Sequence, residues 1–188
     1  MKPLIIAVGD IETTGIKQED GHRIIEIALS FWQYDQTIHT HHKIGKTYLQ
    51  RVNPERAIDP GAEAVHKISL AMLRGSPKWK DVAPTVSELL SKVDVFVAHN
   101  ADFDAPFIAL ELIRVKEPMP DFNVFCTMQN GRAATPMGKI PNLGELAYAC
   151  GFDYDPDAAH SARYDTDLLA QCYWKGIQMK LFPRPTEL

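Results

Sequence analysis

What this sequence has little of narrows it first. It carries only three cysteines in 188 residues, Cys126, Cys150 and Cys172. They are far apart and form no Cys-x-x-Cys pair, which excludes a disulfide framework or a cysteine zinc site and fits reduced core thiols. No apolar run approaches membrane-spanning length. The N-terminal one is too short for a signal-peptide core, lacks a small-residue cleavage site and leads straight into Asp10, so the expected location is cytoplasmic, with no membrane partner. Basic charge is not in excess either: 20 Lys and Arg stand against 24 Asp and Glu, a formal net charge of -4. That balance argues against a broad basic footprint on duplex DNA, because non-specific affinity comes from neutralising phosphates. At 188 residues and 45% hydrophobic, the chain suits one compact domain with a full core.

What is present is a set of carboxylates in particular places. Residues 4–15, LIIAVGDIETTG, begin as a strand buried on both faces and end in two acids two residues apart. Strand side chains alternate with a period of two, so Asp10 and Glu12 project from the same side of the sheet. Two anions side by side repel, and one would take up a proton unless a cation lay between them. The pair therefore implies a bound metal, and hard oxygen ligands point to magnesium or manganese.

Two further acidic stretches follow. His99-Asn100-Ala101-Asp102-Phe103-Asp104 closes a second apolar run, and His160-Ser161-Ala162-Arg163-Tyr164-Asp165 opens the last helix. Asp104 shares a helix face with the core residues Phe107 and Ile108, whereas Asp102 does not, so Asp104 is the acid held at the sheet edge and Asp102 a cap or solvated residue. His160 and Asp165 lie five residues apart, about 140° on an ideal helix of ~3.6 residues per turn. They cannot both be helical and face one site. Ser161 is therefore expected as the cap, with His160 on a mobile loop outside and Asp165 in the first turns.

At these residues the chain resembles a known family. Asp10-x-Glu12-Thr13-Thr14-Gly15, His99-Asn100-x-x-Phe103-Asp104 and His160 five residues before Asp165 are similar to the three motifs of the DnaQ-like DEDDh 3′–5′ exonucleases, in the family's order and over nearly the whole chain. The resemblance implies an α/β, RNase H-like fold, a five-stranded mixed sheet flanked by helices, with an exonuclease domain over 1–182 and a tail over 183–188. It implies Asp10, Glu12, Asp104 and Asp165 as ligands of two divalent cations, Mg2+ with Mn2+ able to substitute, and His160 as general base. Thr13, Thr14, His66 and Asn100 become the substrate-binding residues, although Asn100 could equally hold backbone at the strand end. Single-stranded or frayed DNA 3′ ends become the substrate, nucleoside 5′-monophosphates the product, and a DNA polymerase or other replication or repair protein the partner class. Short RNA is the nearest rival substrate, and a non-catalytic nucleic-acid-binding module the rival from another class. One departure stands out: many relatives have a glutamate directly after the Asp-Pro pair, and here Gly61 follows Pro60.

The rest of the chain fills in around these motifs. Residues 22–34 and 43–52 read as an antiparallel hairpin, and the histidines of the connection, His39, His41 and His42, as an exposed turn without function. Asp59 should cap a short helix with Pro60 at its first position. A helix is expected from Ser76-Pro77, with Trp79 on its core stripe and Pro84 kinking or restarting it. Strands are expected at 93–98 and 121–126, then an irregular loop at 131–141 that either offers Arg132 or Lys139 to phosphates or serves as a solvated linker. Asn142 should cap a helix that Gly151 stops.

Overall fold

The computed structural model describes all of residues 1–188. Its five strands are β1 (Leu4–Thr13), β2 (Ile24–Asp35), β3 (Thr40–Arg51), β4 (Val95–Ala98) and β5 (Asn123–Cys126). They form one sheet in the order β3-β2-β1-β4-β5. β1 to β3 run antiparallel, whereas β4 and β5 join β1 in parallel. The sheet is mixed, as the motifs implied.

Helices α1 (Pro60–His66), α2 (Trp79–Leu90), α3 (Ala101–Arg114), α4 (Thr127–Asn130), α5 (Leu143–Cys150) and α6 (Ala162–Gln178) complete the chain. One core layer joins Ala7, Ile11 and Phe96 to Trp79, Val86 and Leu90 of α2 and to Phe107, Ile108 and Leu112 of α3. The opposite layer joins Ile6, Val8, Val97 and Phe125 to Leu146 of α5 and to Leu168, Leu169, Cys172 and Tyr173 of α6. The alternation along β1 thus decides the site's orientation. Asp10 and Glu12 continue the Ile6 and Val8 face, the face that α6 covers.

Several local expectations hold. Trp79 is 2% exposed, a core residue. Asn142 and Glu145 form a reciprocal capping box at the start of α5, and Gly151 ends it in a left-handed conformation, φ 81°. All three cysteines are buried and free. No helix is long and apolar enough to cross a membrane.

Others are corrected. Pro84 does not mark a second helix start: α2 runs unbroken from Trp79 to Leu90. The proline is exposed, so the hydrogen bond it forfeits faces water. The loop over 131–141 contains two short 3-10 turns. The hairpin turn is shorter than expected: His41 and His42 lie in β3, and the His41 ring stacks on Trp174 of α6 at 4.1 Å. Beyond α6 the tail packs back, with Pro185 buried and Arg184 Nη1 3.2 Å from His39 Nε2.

Candidate active site

The β1 carboxylates meet α6 at the carboxyl end of the strand. One carboxylate oxygen from each of Asp10, Glu12 and Asp165 lies within 4.8 Å of the other two. Asp104 stands outside that three-residue group, but its charge acts on Asp10 and Glu12. It lies on α3, whose N-terminus follows directly from the end of β4. Asn100 turns the chain there with a left-handed backbone, φ 94°, and its carbonyl accepts the Phe103 N–H at 2.7 Å. Asp104 is 2% exposed, while Asp102 is on the solvent side. The helix-face argument chose correctly between them.

These acids carry no countercharge. No Lys, Arg or His nitrogen is within salt-bridge distance of Asp10, Glu12, Asp104 or Asp165. Burial drives their carboxyls upward, and at Asp10 and Glu12 the charges of the neighbouring acids add to it. Glu12 is pushed up to about 9, by burial and then by Asp165, Glu26 and Asp104. Asp10 is raised well above the usual range by burial and by the charges of Asp104, Glu12, Asp165 and Glu26. Burial takes Asp104 up to about 8 against backbone amides that favour its anion, and Asp165 up to about 6 against the nearby His160. Asp104 Oδ1 is buried with no hydrogen-bond partner. An all-oxygen donor set, several negative charges and an orphaned buried carboxylate oxygen together fit hard divalent cations.

His160 sits just outside α6, exposed, with a left-handed backbone of φ 60°. Its main-chain N–H donates to Asp165 Oδ2 at 2.9 Å. Ser161 occupies the cap position as expected, but its side chain caps nothing. The α6 N-terminus is capped from the sheet: Glu26 Oε1 accepts the Ala162 N–H at 3.2 Å.

The Thr13-Thr14 turn is braced from behind. Thr14 is 0% exposed; its Oγ1 lies 3.0 Å from His22 Nδ1 and accepts the Arg23 N–H. Its own N–H donates to the Arg23 carbonyl, and its carbonyl accepts the Asp59 N–H. Every polar group of Thr14 is engaged inside the protein. His22 Nε2 reaches Asp59 Oδ2 at 3.4 Å, so Asp59 ties α1 to this turn and does not cap with its side chain. Gly15 is required by close approach, since a Cβ there would lie 2.3 Å from the His22 ring. His66, at the end of α1, is buried, and its Nδ1 accepts the Ile68 N–H. Burial lowers its pKa, while the Thr13 carbonyl raises it in part.

Of the cations expected on the loop, Lys139 is paired with Glu145 and Arg132 is bonded to the Gly138 carbonyl. Sequence reading missed Glu26, Arg51, His22 and Asp59 as parts of the site's frame. No motif spacing marks them, because their roles arise from contacts between segments remote in the chain. The one available signal was a glutamate, Glu26, inside the apolar run Ile24, Ile25, Ile27, where an acid must have a buried partner.

Comparison with known proteins agrees with this geometry. Residues 7–173 match the exonuclease family model RNase T. The chain is 30% identical to DNA polymerase III subunit epsilon of Salmonella typhimurium over 171 residues, which is 87% of this chain and 68% of that protein. It is 32% identical to the 3′–5′ exonuclease DinG of Staphylococcus aureus over 191 residues, 93% of this chain but 20% of that protein. The fold is similar to that of E. coli exonuclease I in a zinc-bound complex with single-stranded DNA, with a TM-score of 0.77 at 18% identity, over 100% of this chain and 42% of that one. This chain thus spans less than half the length of exonuclease I and a fifth of DinG. With a family model covering almost its whole length and a relative 30% identical over 68% of that relative's length, the chain belongs to the RNase T family of DnaQ-like 3′–5′ exonucleases.

Proposed function

We propose that this protein removes nucleotides from the 3′ ends of single-stranded or frayed DNA, releasing nucleoside 5′-monophosphates. The single observation that carries the reading is the convergence of Asp10, Glu12 and Asp165 within 4.8 Å, with buried Asp104 beside them. In this reading the four acids hold two divalent ions, Mg2+ or in its place Mn2+. Bound there, such ions lower the pKa of an attacking water and neutralise charge on the leaving 3′ oxygen. The chain's own residues supply the remainder. His160 lies outside α6 beside Asp165 and takes the proton from the attacking water as general base.

His66 and the Thr13 backbone border the terminal nucleotide, and Asn100 faces the same strand ends. Thr14 acts by fixing the turn that presents Thr13. The Gly61 departure removes a carboxylate from the sugar side, so the grip on the terminal ribose rests on His66 and Thr13. A strand end must leave its partner to reach acids set at the end of a core strand, and that costs a few kcal/mol when it is paired. Unpaired ends are therefore the better substrates. The epsilon subunit is by name part of a DNA polymerase, and its likeness to this chain supports a replication or repair polymerase as partner. Buried, reduced cysteines support a cytoplasmic setting.

The test is digestion of end-labelled DNA and RNA oligonucleotides, single-stranded, paired and mismatched, with magnesium and with EDTA. Mononucleotides from DNA that require the metal are expected. Cleavage persisting in EDTA removes the metal from the mechanism. Internal fragments would make the protein an endonuclease, faster loss of RNA would reverse the substrate, and binding without product would leave a recognition module.

A further inference from the structure

Glu12, Glu26 and Arg51 lie in one row across β1, β2 and β3, since Glu12 pairs with Glu26 and Glu26 with Arg51. Directly paired residues share a face, so all three side chains stand on the side covered by α6. Glu26 is 3% exposed and wholly engaged: one oxygen accepts the Ala162 N–H at 3.2 Å and the other the Arg51 Nε–H at 2.8 Å. Arg51 has a different character. Its side chain is 42% exposed, and neither terminal amino group makes a hydrogen bond within the protein; Nε alone is used.

Five other cations are engaged within the protein. Arg23 is held by Glu111, Arg163 and Lys43 by Asp167, Lys139 by Glu145, and Arg56 by the Asp20 carbonyl. A chain of net charge -4 must nevertheless hold a polyanion here. A guanidinium anchored at Nε presents its two outer amino groups in a fixed fork, the geometry that binds a phosphate through two oxygens. Two strand spacings of ~4.8 Å put the Arg51 backbone about 10 Å from that of Glu12. Arg51 is thus displaced from the phosphate under attack and suited to a neighbouring one.

We propose that Arg51, oriented by Glu26, binds a backbone phosphate of the DNA strand on the 5′ side of the scissile linkage. This rests on the nuclease reading for its substrate but not on turnover for its test. Glu26 is a positioning residue in it, serving Arg51 and the first turn of α6 with the two oxygens of one carboxylate.

The experiment measures binding of a 5′-fluorescein-labelled oligonucleotide with a non-hydrolysable 3′-terminal linkage, by anisotropy over a salt series, together with kcat and KM on the cleavable form. Arg51→Gln is expected to weaken binding about tenfold and to reduce the slope of log K against log salt by about 0.7, one phosphate of a single strand. The loss should fall on KM, and Arg51→Lys should recover the salt slope but only part of the affinity. Arg51→Gln alone leaves the Glu26 charge buried and unpaired, so the doubly neutral variant Glu26→Gln/Arg51→Gln is measured beside it, with melting temperatures for all. It too must lose the slope. An unchanged slope and affinity overturns the proposal, as does a fall in kcat at unchanged affinity, which would assign Arg51 to holding α6. Wild-type protein that binds without cleaving would defeat the nuclease reading and leave the Arg51 result standing.

Discussion

The main-chain N–H of His160 donates to Asp165 Oδ2 at 2.9 Å, so the loop that carries the imidazole is fastened to the carboxylate through backbone alone. Truncating the imidazole leaves that bond in place. His160→Ala should therefore keep manganese affinity near that of the wild type and lower the rate by roughly 10²-fold or more, the usual scale of lost base catalysis. Asp165→Ala should lose both. Calorimetric titration of manganese beside initial rates separates the two roles, and an equal loss of affinity in both variants would contradict the role given to His160.

The crowded carboxylates make a prediction about pH in the absence of metal. Each binds its proton more tightly folded than unfolded, where carboxyls titrate near ~4. As pH rises from there through about 6 at Asp165, 8 at Asp104 and 9 at Glu12, the native state carries more protons than the unfolded one, and stability falls. In EDTA the melting temperature attributable to these groups should drop between pH 5 and pH 9. Adding magnesium should restore more at pH 8 than at pH 5. Glu12→Gln should melt higher than wild type in EDTA at pH 8 while being inactive, the exchange of stability for function expected at a charged site. A wild-type melt that is flat or rises over that range would refute the electrostatic account.

Gly15 and His22 make a coupled pair. A Cβ on residue 15 would strike the His22 ring at 2.3 Å, so Gly15→Ala must displace the imidazole that links Thr14 to Asp59. Overpacking of this sort costs typically ~1–3 kcal/mol. If the clash is the cause, Gly15→Ala should cost much less in a His22→Ala background. Additive losses in a double-mutant cycle, read by urea denaturation, would show that the two residues act independently.

Behind the site, Glu111 is 1% exposed and holds Arg23 at 2.5 and 3.0 Å and Arg114 at 3.0 Å. Arg23 follows His22 and bonds Thr14 through its main chain, so this pair anchors the turn. Removing one partner of a buried ion pair costs ~3–5 kcal/mol. Since both arginines are partly exposed, Glu111→Ala should fall at the lower end, about 3 kcal/mol. Glu88→Ala, which breaks the exposed pair with Lys92, should leave the same denaturation curve unmoved. A similar loss for both would remove burial as the reason.

The sequence alone determined everything governed by local periodicity. The two-residue repeat of a strand puts Asp10 and Glu12 on one face, and the helical repeat selects Asp104 over Asp102. The five-residue gap places His160 outside the helix that carries Asp165. Only the tertiary structure decided the parts that depend on register and packing between remote segments. Ser161 looked like the α6 cap, yet Glu26 does that work from a strand 136 residues away. The bonds of Thr14 to His22, Arg23 and Asp59 could not be read from its motif. His41 looked like part of an exposed turn, yet its ring lies against Trp174. A side chain's face follows from its own neighbours along the chain. What that face meets depends on which other segment the burial of the core brings against it.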